Sequence, residues 1–364
     1  MRRATALLGA VLVIGGLAWP TTATTSEFIA ADVVSLAANV SAAMVPDGAA
    51  EAAVLITADD ELAYGAPSLL AALPLNVPLL VTEAGTLSDG VLDELHRATG
   101  RDESATVHLV GDAAFAQAEL EAAGYTVIAH EGADATAVAS AAATQLYGAP
   151  AGTSQRVILV PSGDEVTAAL ASALGIWLSI PVIPVGSAGF TSEAFVREVW
   201  AVGDFGGAVP PVSTAGPATL RTFDADDVFA LALALDEQGG LEPGDSAPPT
   251  VVSHAPIVAS VSGDTTPALV AATVAARRSL DGDRAPLLLV EDTFDHDFAT
   301  RCDGDGADAA SYCALAAADG DVTFVGLSDS APDGQSDDDL PATGGGIALV
   351  GAALVAGALL RRRS

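Results

Sequence analysis

The densest group of residues that could do chemistry lies near the end of the chain. Asp303, Asp305 and Asp308 lie in a glycine-containing stretch, and three more aspartates lie between residues 292 and 297. Carboxylate oxygens on a short loop are the ligands that Ca²⁺ prefers. The spacing departs from an EF-hand, and a chain with 47 acidic residues forms such clusters freely. The sequence therefore allows a calcium site here, with solvated charge as the alternative.

Two cysteines, Cys302 and Cys313, flank these three aspartates and are the only ones in the chain. In an exported protein a close cysteine pair most simply forms a disulfide that closes a small loop. A two-cysteine metal site is the alternative, but no histidine lies between them. We predict a disulfide, and apart from calcium we predict no cofactor.

Catalytic motifs are missing from the sequence. The nearest approach to Gly-x-Ser-x-Gly, at residues 185–189, begins with valine where the nucleophile elbow needs glycine. The five histidines are scattered, and His108 alternates with apolar residues as a structural histidine would. Paired carboxylates could serve glycoside hydrolysis, but three Trp and four Tyr leave few aromatics for a sugar cleft. We therefore predict that the protein is not an enzyme.

The N-terminus has the layout of a secretory signal peptide. Arg2 and Arg3 precede an apolar run over residues 4–17, and small and polar residues follow up to Ala23. This three-part order predicts cleavage after Ala23. An uncleaved membrane anchor is the alternative, but the apolar run is shorter than the roughly 20 residues that a spanning helix needs.

The C-terminus combines a short motif with an apolar segment and a basic tail. Leu340-Pro341-Ala342-Thr343-Gly344 precedes uncharged residues 345–360, and Arg361–Arg363 follow. Such a segment can enter the bilayer, and the arginines hold its end on the cytoplasmic side. The arrangement resembles the sorting signal of Gram-positive wall proteins, in which a sortase recognises Leu-Pro-x-Thr-Gly. The resemblance implies cleavage between Thr343 and Gly344 and transfer of Thr343 to peptidoglycan. A plain single-pass anchor is the alternative.

Charge limits the partners of the processed chain. The chain has no lysine, and removal of both ends would leave nine arginines against 47 acidic residues, a net charge of −38. Such a surface repels nucleic acids and anionic membranes. We therefore expect no DNA or RNA partner.

The segment at 328–339, rich in Asp, Ser, Gly and Pro, has too little apolar surface to fold and is predicted to be an acidic spacer.

Three copies of one pattern fill the rest of the chain. Pro78, Pro181 and Pro286 recur in matching apolar runs, 103 and 105 residues apart. The predicted strands are 54–57 and 157–160, then 77–82, 180–185 and 285–290, then 107–112, 199–204 and 322–326. Helices are predicted between them at 63–73, 88–98, 166–178 and 192–198, and serine caps are predicted to start the second and the fourth, at Ser88 and Ser192. Apolar strands that alternate with helices indicate parallel sheets buried on both faces, so we predict three Rossmann-like α/β modules.

Each copy begins with an Ala-Asp pair at the start of an alanine-rich helix. Asp32, Asp134 and Asp226 hold this position. An aspartate there can accept hydrogen bonds from the free N–H groups of the first helical turn, so all three are predicted N-caps.

The run from Leu62 through Val77–Thr82 to Leu95, continued by Gly124-Tyr125-Thr126-Val127 and Gly132-Ala133-Asp134, resembles the type 2 cell wall-binding repeat. The match is best in the first copy and spans residues 31–327 over the three. The resemblance implies a three-lobed platform that holds a protein on anionic wall polymers. The predicted organisation is signal peptide 1–23, repeats 31–130, 131–222 and 223–327, spacer 328–339 and sorting signal 340–364.

One departure concerns the basic residues thought to contact the polymer in this family. The pattern continues after its aspartate with an Arg-Tyr-x-Thr-Ala stretch, whereas Ala135, Val33 and Asp227 follow the three aspartates here. We expect a secreted, peptidoglycan-anchored surface protein with sortase and peptidoglycan as partners, and wall polymers as a possible third. The alternatives are a Ca²⁺- or solute-binding surface receptor on the same modules, or a hydrolase of wall or glycan.

Overall fold

In the part of the chain that the structure describes, three four-stranded parallel sheets form the framework. The computed structural model describes residues 24–74, 76–101, 105–147, 156–191, 196–223, 257–260, 265–280, 285, 287–290 and 321–327. The chain divides into two units, Met1–Asp329 and Ser330–Ser364, and every described residue belongs to the first. The predicted α/β fold with parallel sheets flanked by helices is confirmed. The three-lobed arrangement stays a prediction.

The first sheet contains four strands of the first repeat in the order β3-β2-β4-β5. The elements up to its end are β1 (Thr24–Ala30), α1 (Val33–Met44), β2 (Ala52–Thr57), a 3-10 helix (Glu61–Gly65), α2 (Ala66–Leu70), β3 (Leu79–Thr82), α3 (Asp89–Thr99), β4 (Thr106–Val110), a 3-10 helix (Gly111–Ala116), α4 (Gln117–Ala122) and β5 (Thr126–His130). All of β2 and β3 is buried, as their continuous apolar sequence predicted.

The helix predicted over 63–73 is shorter and partly 3-10. Asp60 caps its start by accepting a hydrogen bond from the Leu62 N–H (2.8 Å). Gly65 lies so close to α5 (Ala135–Tyr147) that an added Cβ would be 2.9 Å from Cβ of Val138. Pro74 disfavours helical backbone at the residue before it. Packing and proline together limit the α-helical part to Ala66–Leu70.

The second repeat builds the sheet β11-β9-β6-β7 and a separate two-stranded pair, β8 with β10. Its elements after α5 are β6 (Arg156–Pro161), α6 (Glu165–Leu178), β7 (Val182–Val185), β8 (Phe190–Thr191), β9 (Glu198–Val202), β10 (Val212–Ser213) and β11 (Thr219–Phe223). The helix predicted to end at Glu198 does not reach it, because Glu198 begins the buried strand β9. Residues 192–195 lie outside the described residues.

The third sheet, in the order β1-β14-β12-β13, is completed by the start of the chain. The third repeat contributes β12 (Ile257–Ser260), α7 (Thr266–Leu280), β13 (Leu287–Val290) and β14 (Asp321–Leu327). Strand β1 pairs with β14 in parallel over seven residues, from Thr24 opposite Asp321 to Ala30 opposite Leu327. Residues 24–30 lie outside all three predicted repeats, yet they supply the fourth strand of the third sheet.

The predicted helix caps that fall on described residues are present. Asp32 accepts a hydrogen bond from the Ser35 N–H (2.7 Å), and Asp134 accepts one from the Ala137 N–H (2.8 Å). Ser88 caps α3 in the same way. Each cap satisfies a donor that the first helical turn leaves without a partner. Asp226 lies outside the described residues.

One apolar core is shared by all three repeats. Leu36 of α1, Leu69 of α2, Leu174 of α6 and Val270 of α7 belong to the same buried cluster. Alanines fill the contacting faces of the helices, which lets α6 and α7 pack closely. No helix within the described part of the chain is both long and apolar enough to span a bilayer. Residues 345–360 lie outside that part.

Gly175 of α6 tests this close packing. We expect Gly175→Ala to lower the free energy of unfolding by about 1–3 kcal/mol, because its new Cβ would lie 2.8 Å from the backbone oxygen of Ile180 and still nearer to Val182. A loss of stability would be informative, since alanine is normally favoured over glycine inside a helix by up to about 1 kcal/mol.

The measurement is urea denaturation of both variants beside the wild type. Gly186→Ala is the matched control, because no atom lies within 4 Å of its added Cβ. A Gly175→Ala protein as stable as the control would contradict the packing described for α6.

Candidate functional site

The residues predicted to carry chemistry lie outside the described part of the structure. This holds for the sorting signal (Leu340, Pro341, Thr343, Gly344), for the cysteines (Cys302, Cys313) and for the aspartates (Asp303, Asp305, Asp308). The sorting signal, the disulfide and the calcium site therefore stay predictions. Among the residues that are described, no group of three or more His, Cys, Asp or Glu side chains could hold a metal ion.

The three repeats meet at a chain of polar side chains. The Tyr64 hydroxyl donates a hydrogen bond to Oγ1 of Thr265, which donates to Oε2 of Glu165 (2.5 Å). Each residue lies at the start of the helix that follows the first strand of its repeat. Local capping positions two of these helix starts, through Asp60 and Asp164. These hydrogen bonds thus join three equivalent helix starts.

A small cavity of about 130 Å³ opens beside this junction, and its lining includes Tyr64, Ser162, Asp164 and Glu165. Pockets that enclose small organic ligands are usually larger than roughly 300 Å³. The cavity can hold a few waters or a small cationic group. It is too small for a nucleotide or a sugar chain.

The crevice at the carboxyl end of the first sheet is filled by a protein side chain. In open parallel sheets, ligands bind where neighbouring strands lead to opposite faces, which here is between β2 and β4. Asp60 occupies this place: its carboxylate accepts hydrogen bonds from the N–H groups of Asp112 (2.9 Å) and Leu62. Burial raises the pKa of Asp60, while these two N–H groups lower it. The usual ligand position is therefore occupied by the chain itself.

The same crowding explains why glycine follows the third strand in the first two repeats, whereas in the third repeat β14 continues through Gly326 to Leu327. Gly111 has a φ of +62°, and an added Cβ would lie 2.6 Å from Cβ of Leu62. Gly203, its equivalent in the second repeat, has a φ of +95° and would bring a Cβ to 2.7 Å from Thr167. Glycine is required because the strand end turns in the left-handed region directly beside the first helix of the repeat.

Two histidines that looked unrelated in the sequence form a buried pair. His108 of β4 and His130 of β5 lie on neighbouring strands, with Nδ1 of His108 3.0 Å from Nε2 of His130 and ring centroids 5.2 Å apart. Their side chains are only 4% and 3% exposed. The prediction that His108 is structural agrees with this position. His130 was missed as its partner, because the contact depends on the register of two strands.

Burial keeps both histidines neutral. Burial, and then the charge of His130, lower the pKa of His108 to about 4, and burial lowers the pKa of His130. Two neutral imidazoles can share one hydrogen bond, one ring donating and the other accepting. The pair therefore links β4 to β5 through their side chains.

Several arginines are engaged within the fold. Arg97 pairs with the buried Glu94 (2.7 Å) and with Asp47 (2.6 Å), and Glu198 pairs with Arg156 (3.1 Å) and Arg221 (3.3 Å). These ion pairs neutralise positive charge that could otherwise attract a polyanion.

Comparison with known proteins shows a fold likeness. No family model matches the chain, and neither does any curated protein. Among solved structures, Cwp8 from Clostridium difficile matches with a TM-score of 0.60 and 18% identity, over 83% of this chain and 49% of that one. Cwp6 from the same organism matches with a TM-score of 0.57 and 14% identity, over 84% and 46%. The chain spans about half the length of these structures, and at such identities the likeness shows the shared fold.

The histidine pair predicts loss of stability in acid. Between about pH 6.5 and about pH 4, His108 binds a proton in the unfolded chain but stays neutral in the folded protein, because its folded-state pKa is lowered to about 4. The free energy of unfolding should therefore fall as the pH drops through this window, by up to about 3 kcal/mol for His108 alone. Urea denaturation between pH 7 and pH 4 measures the slope.

A double variant, His108→Leu with His130→Leu, should flatten this slope, because both partners of the hydrogen bond are replaced together. His96→Gln is the matched control and should leave the slope in place, since it removes a histidine outside the pair. An unchanged slope in the double variant would mean that other groups set the acid sensitivity.

Proposed function

We propose that this protein is a surface protein joined covalently to the cell wall, and that its three repeats serve as a non-enzymatic attachment or interaction platform. The observation that carries the proposal is the order of segments at the C-terminus. The motif Leu340–Gly344 is followed by 16 uncharged residues and then by three arginines. A membrane-bound transpeptidase would meet the motif just outside the bilayer, in the order that sorting needs.

The position of the motif relative to the fold supports the proposal. Strand β14 ends at Leu327, and the acidic residues 328–339 separate it from Leu340. A charged segment poor in apolar residues stays extended and solvated. Such a spacer would give a sortase access to Thr343 while the repeats remain folded.

The fold likeness adds support at a general level. Cwp8 and Cwp6 of Clostridium difficile are cell wall proteins, and each shares the fold over most of this chain. An exported α/β protein with this fold and a predicted sorting signal fits a location on the wall. The interior of the first repeat also suits a platform, because Asp60 fills the crevice where an α/β enzyme would bind its substrate.

In the proposed sorting step, the sortase thiolate attacks the carbonyl carbon of Thr343, and the amine of Gly344 leaves with residues 344–364. The thioester then reacts with an amine of the peptidoglycan precursor, which forms an amide with Thr343 and releases the thiolate. The protein supplies the recognised peptide and the spacer. Before cleavage, residues 345–360 would lie transiently in the membrane.

The sorting step can be tested with a purified sortase of the class that recognises Leu-Pro-x-Thr-Gly. Incubation of residues 24–364 with the sortase and a short oligoglycine should replace residues 344–364 by the oligoglycine, as read by intact mass. Pro341→Ala and Thr343→Val should abolish the exchange. Ala342→Ser changes the variable position of the motif and should leave it intact.

Exchange that is equal in all four proteins, or absent from the wild type, would contradict the sorting assignment. Wall attachment in the host is read separately, by release of the protein from purified walls only after peptidoglycan digestion. Extraction by detergent alone would instead indicate a simple membrane anchor.

The role of the repeats is tested without the sorting signal. Residues 24–339 should co-sediment with isolated walls of the host, and binding should increase with salt, because screening weakens the repulsion between an acidic protein and a polyanion. No pelleting at any salt concentration would contradict wall binding by the repeats and leave Thr343 as the attachment point. Loss of muropeptides from the walls would contradict the non-enzymatic role.

A further inference from the structure

The histidine pair occupies a position that the second repeat fills with a different pair of rings. Strand register makes His108 of β4 equivalent to Trp200 of β9, and His130 of β5 equivalent to Phe223 of β11. Ring centroids are 5.2 Å apart in the histidine pair and 5.9 Å apart in the Trp200–Phe223 pair. The fold therefore accepts at this place an aromatic pair that does not titrate.

The third repeat has no titratable side chain at this position either. Its equivalent residues are Thr323 of β14 and Phe28 of β1, which follow from the same strand registers. Of the three repeats, the first alone places two titratable groups there. The fold does not require them, which directs attention to what their titration does.

Strand β5, which carries His130, is held to the sheet on one side only. It is the edge strand of the first sheet and pairs with β4. Of its five residues, His130 alone is fully buried, and the other four are exposed or partly buried. Besides the backbone hydrogen bonds to β4, the contact of His130 with His108 is thus the most deeply buried attachment of this strand.

A proton on this pair would have no partner carboxylate among the described residues. Val110 shares a sheet face with His108, because alternate residues of a strand share a face, and on this face the core is completed by α1, α2 and α5. These three helices and β2 contain no charged residue. In the described part of the chain, neither imidazole forms an ion pair, and burial disfavours the charged form of both. The carboxylates nearest in sequence to the ends of these strands and helices are solvent-exposed or accept hydrogen bonds from backbone N–H groups: Asp60, Glu61, Asp112, Glu131 and Asp134.

Protonation of both rings breaks their contact. Two neutral imidazoles share one hydrogen bond, but in two imidazolium rings every nitrogen is a donor and none accepts. Two like charges in a buried site also repel each other and lack hydration. Movement of β5 into solvent relieves both effects with the least disruption, because an edge strand has a partner on one side only.

Both ends of the segment that would move are fixed. Tyr125, directly before β5, is buried, and its hydroxyl oxygen lies 3.2 Å from that of Thr99. After β5, Asp134 caps the start of α5, which packs against α2. Opening is therefore confined to the residues between Tyr125 and Asp134.

We propose that the His108–His130 pair is an acid-sensitive switch at the edge of the first sheet, and that β5 detaches from β4 in acid while the rest of the fold stays intact. Local openings of this kind need less free energy than global unfolding and are populated first. The proposal goes beyond the loss of overall stability predicted above, because it names the segment that responds, and it does not depend on wall attachment. Detachment uncovers the backbone groups of β4, so acid would create a free edge on the first sheet.

The test is amide hydrogen exchange of residues 24–343 at about pH 7 and about pH 4.5, read in peptides by mass spectrometry and corrected for the intrinsic effect of pH on exchange. Protection of β5 should fall about 50-fold or more, because His108 binds in the open state a proton that it excludes when buried. Strand β11 is the internal control. It is the edge strand of the second sheet and carries Phe223 in place of histidine, so its protection should change little.

Two double variants connect the opening to the histidines. His108→Trp with His130→Phe transfers the pair of the second repeat to the first and should make the protection of β5 independent of pH. His108→Leu with His130→Leu fills the site with smaller side chains and should do the same, so the result does not rest on the folding of one variant. Circular dichroism at neutral pH checks that each is folded.

Three results would overturn the proposal. One is protection of β5 that is equal at both pH values in the wild type. Another is an equal loss of protection in β5 and β11, which would mean that acid loosens the whole fold. The third is a loss in β5 that persists in the folded double variants, because other groups would then cause it.

Discussion

The pairing of the first strand with the last strand is the constraint on which the rest of the fold depends. Strands β1 and β14 are almost 300 residues apart in the chain and pair over seven consecutive positions. The third sheet cannot reach four strands until both ends are present. Because the three repeats also share one core through α1, α2, α6 and α7, the described fold is cooperative across repeats, and closure of so long a loop favours slow folding.

Close approach between helix backbones is the second constraint, and it accounts for the many alanines and glycines at the helix contacts. Alanine and glycine at the contacts of α6 and α7 bring helices together without large side chains. Dispersion contacts in such an interface are many and individually small, so a single added methyl group changes the stability of the fold. Two sets of polar side chains are paired with each other within this framework: Tyr64, Thr265 and Glu165 at the junction, and His108 with His130.

Local patterns in the sequence predicted most of the parallel strands and several caps, because these depend on neighbours along the chain. Asp32, Ser88 and Asp134 could be predicted as caps from one turn of sequence. Strand β1 could not, since its four leading residues, Thr-Thr-Ser-Glu, are polar and it is a strand only through its partner β14. The histidine pair could not be predicted either, because the contact follows from the register between β4 and β5, which periodicity does not reveal.

The position of β14 within its sheet has a mechanical consequence. Strand β14 ends at Leu327 and lies inside its sheet, with β1 on one side and β12 on the other. A force applied at Leu327 along the axis of this strand would load the hydrogen bonds on both sides together instead of opening them one after another. An edge strand would peel under the same force. Attachment at Thr343, as proposed, would load the protein through this central strand.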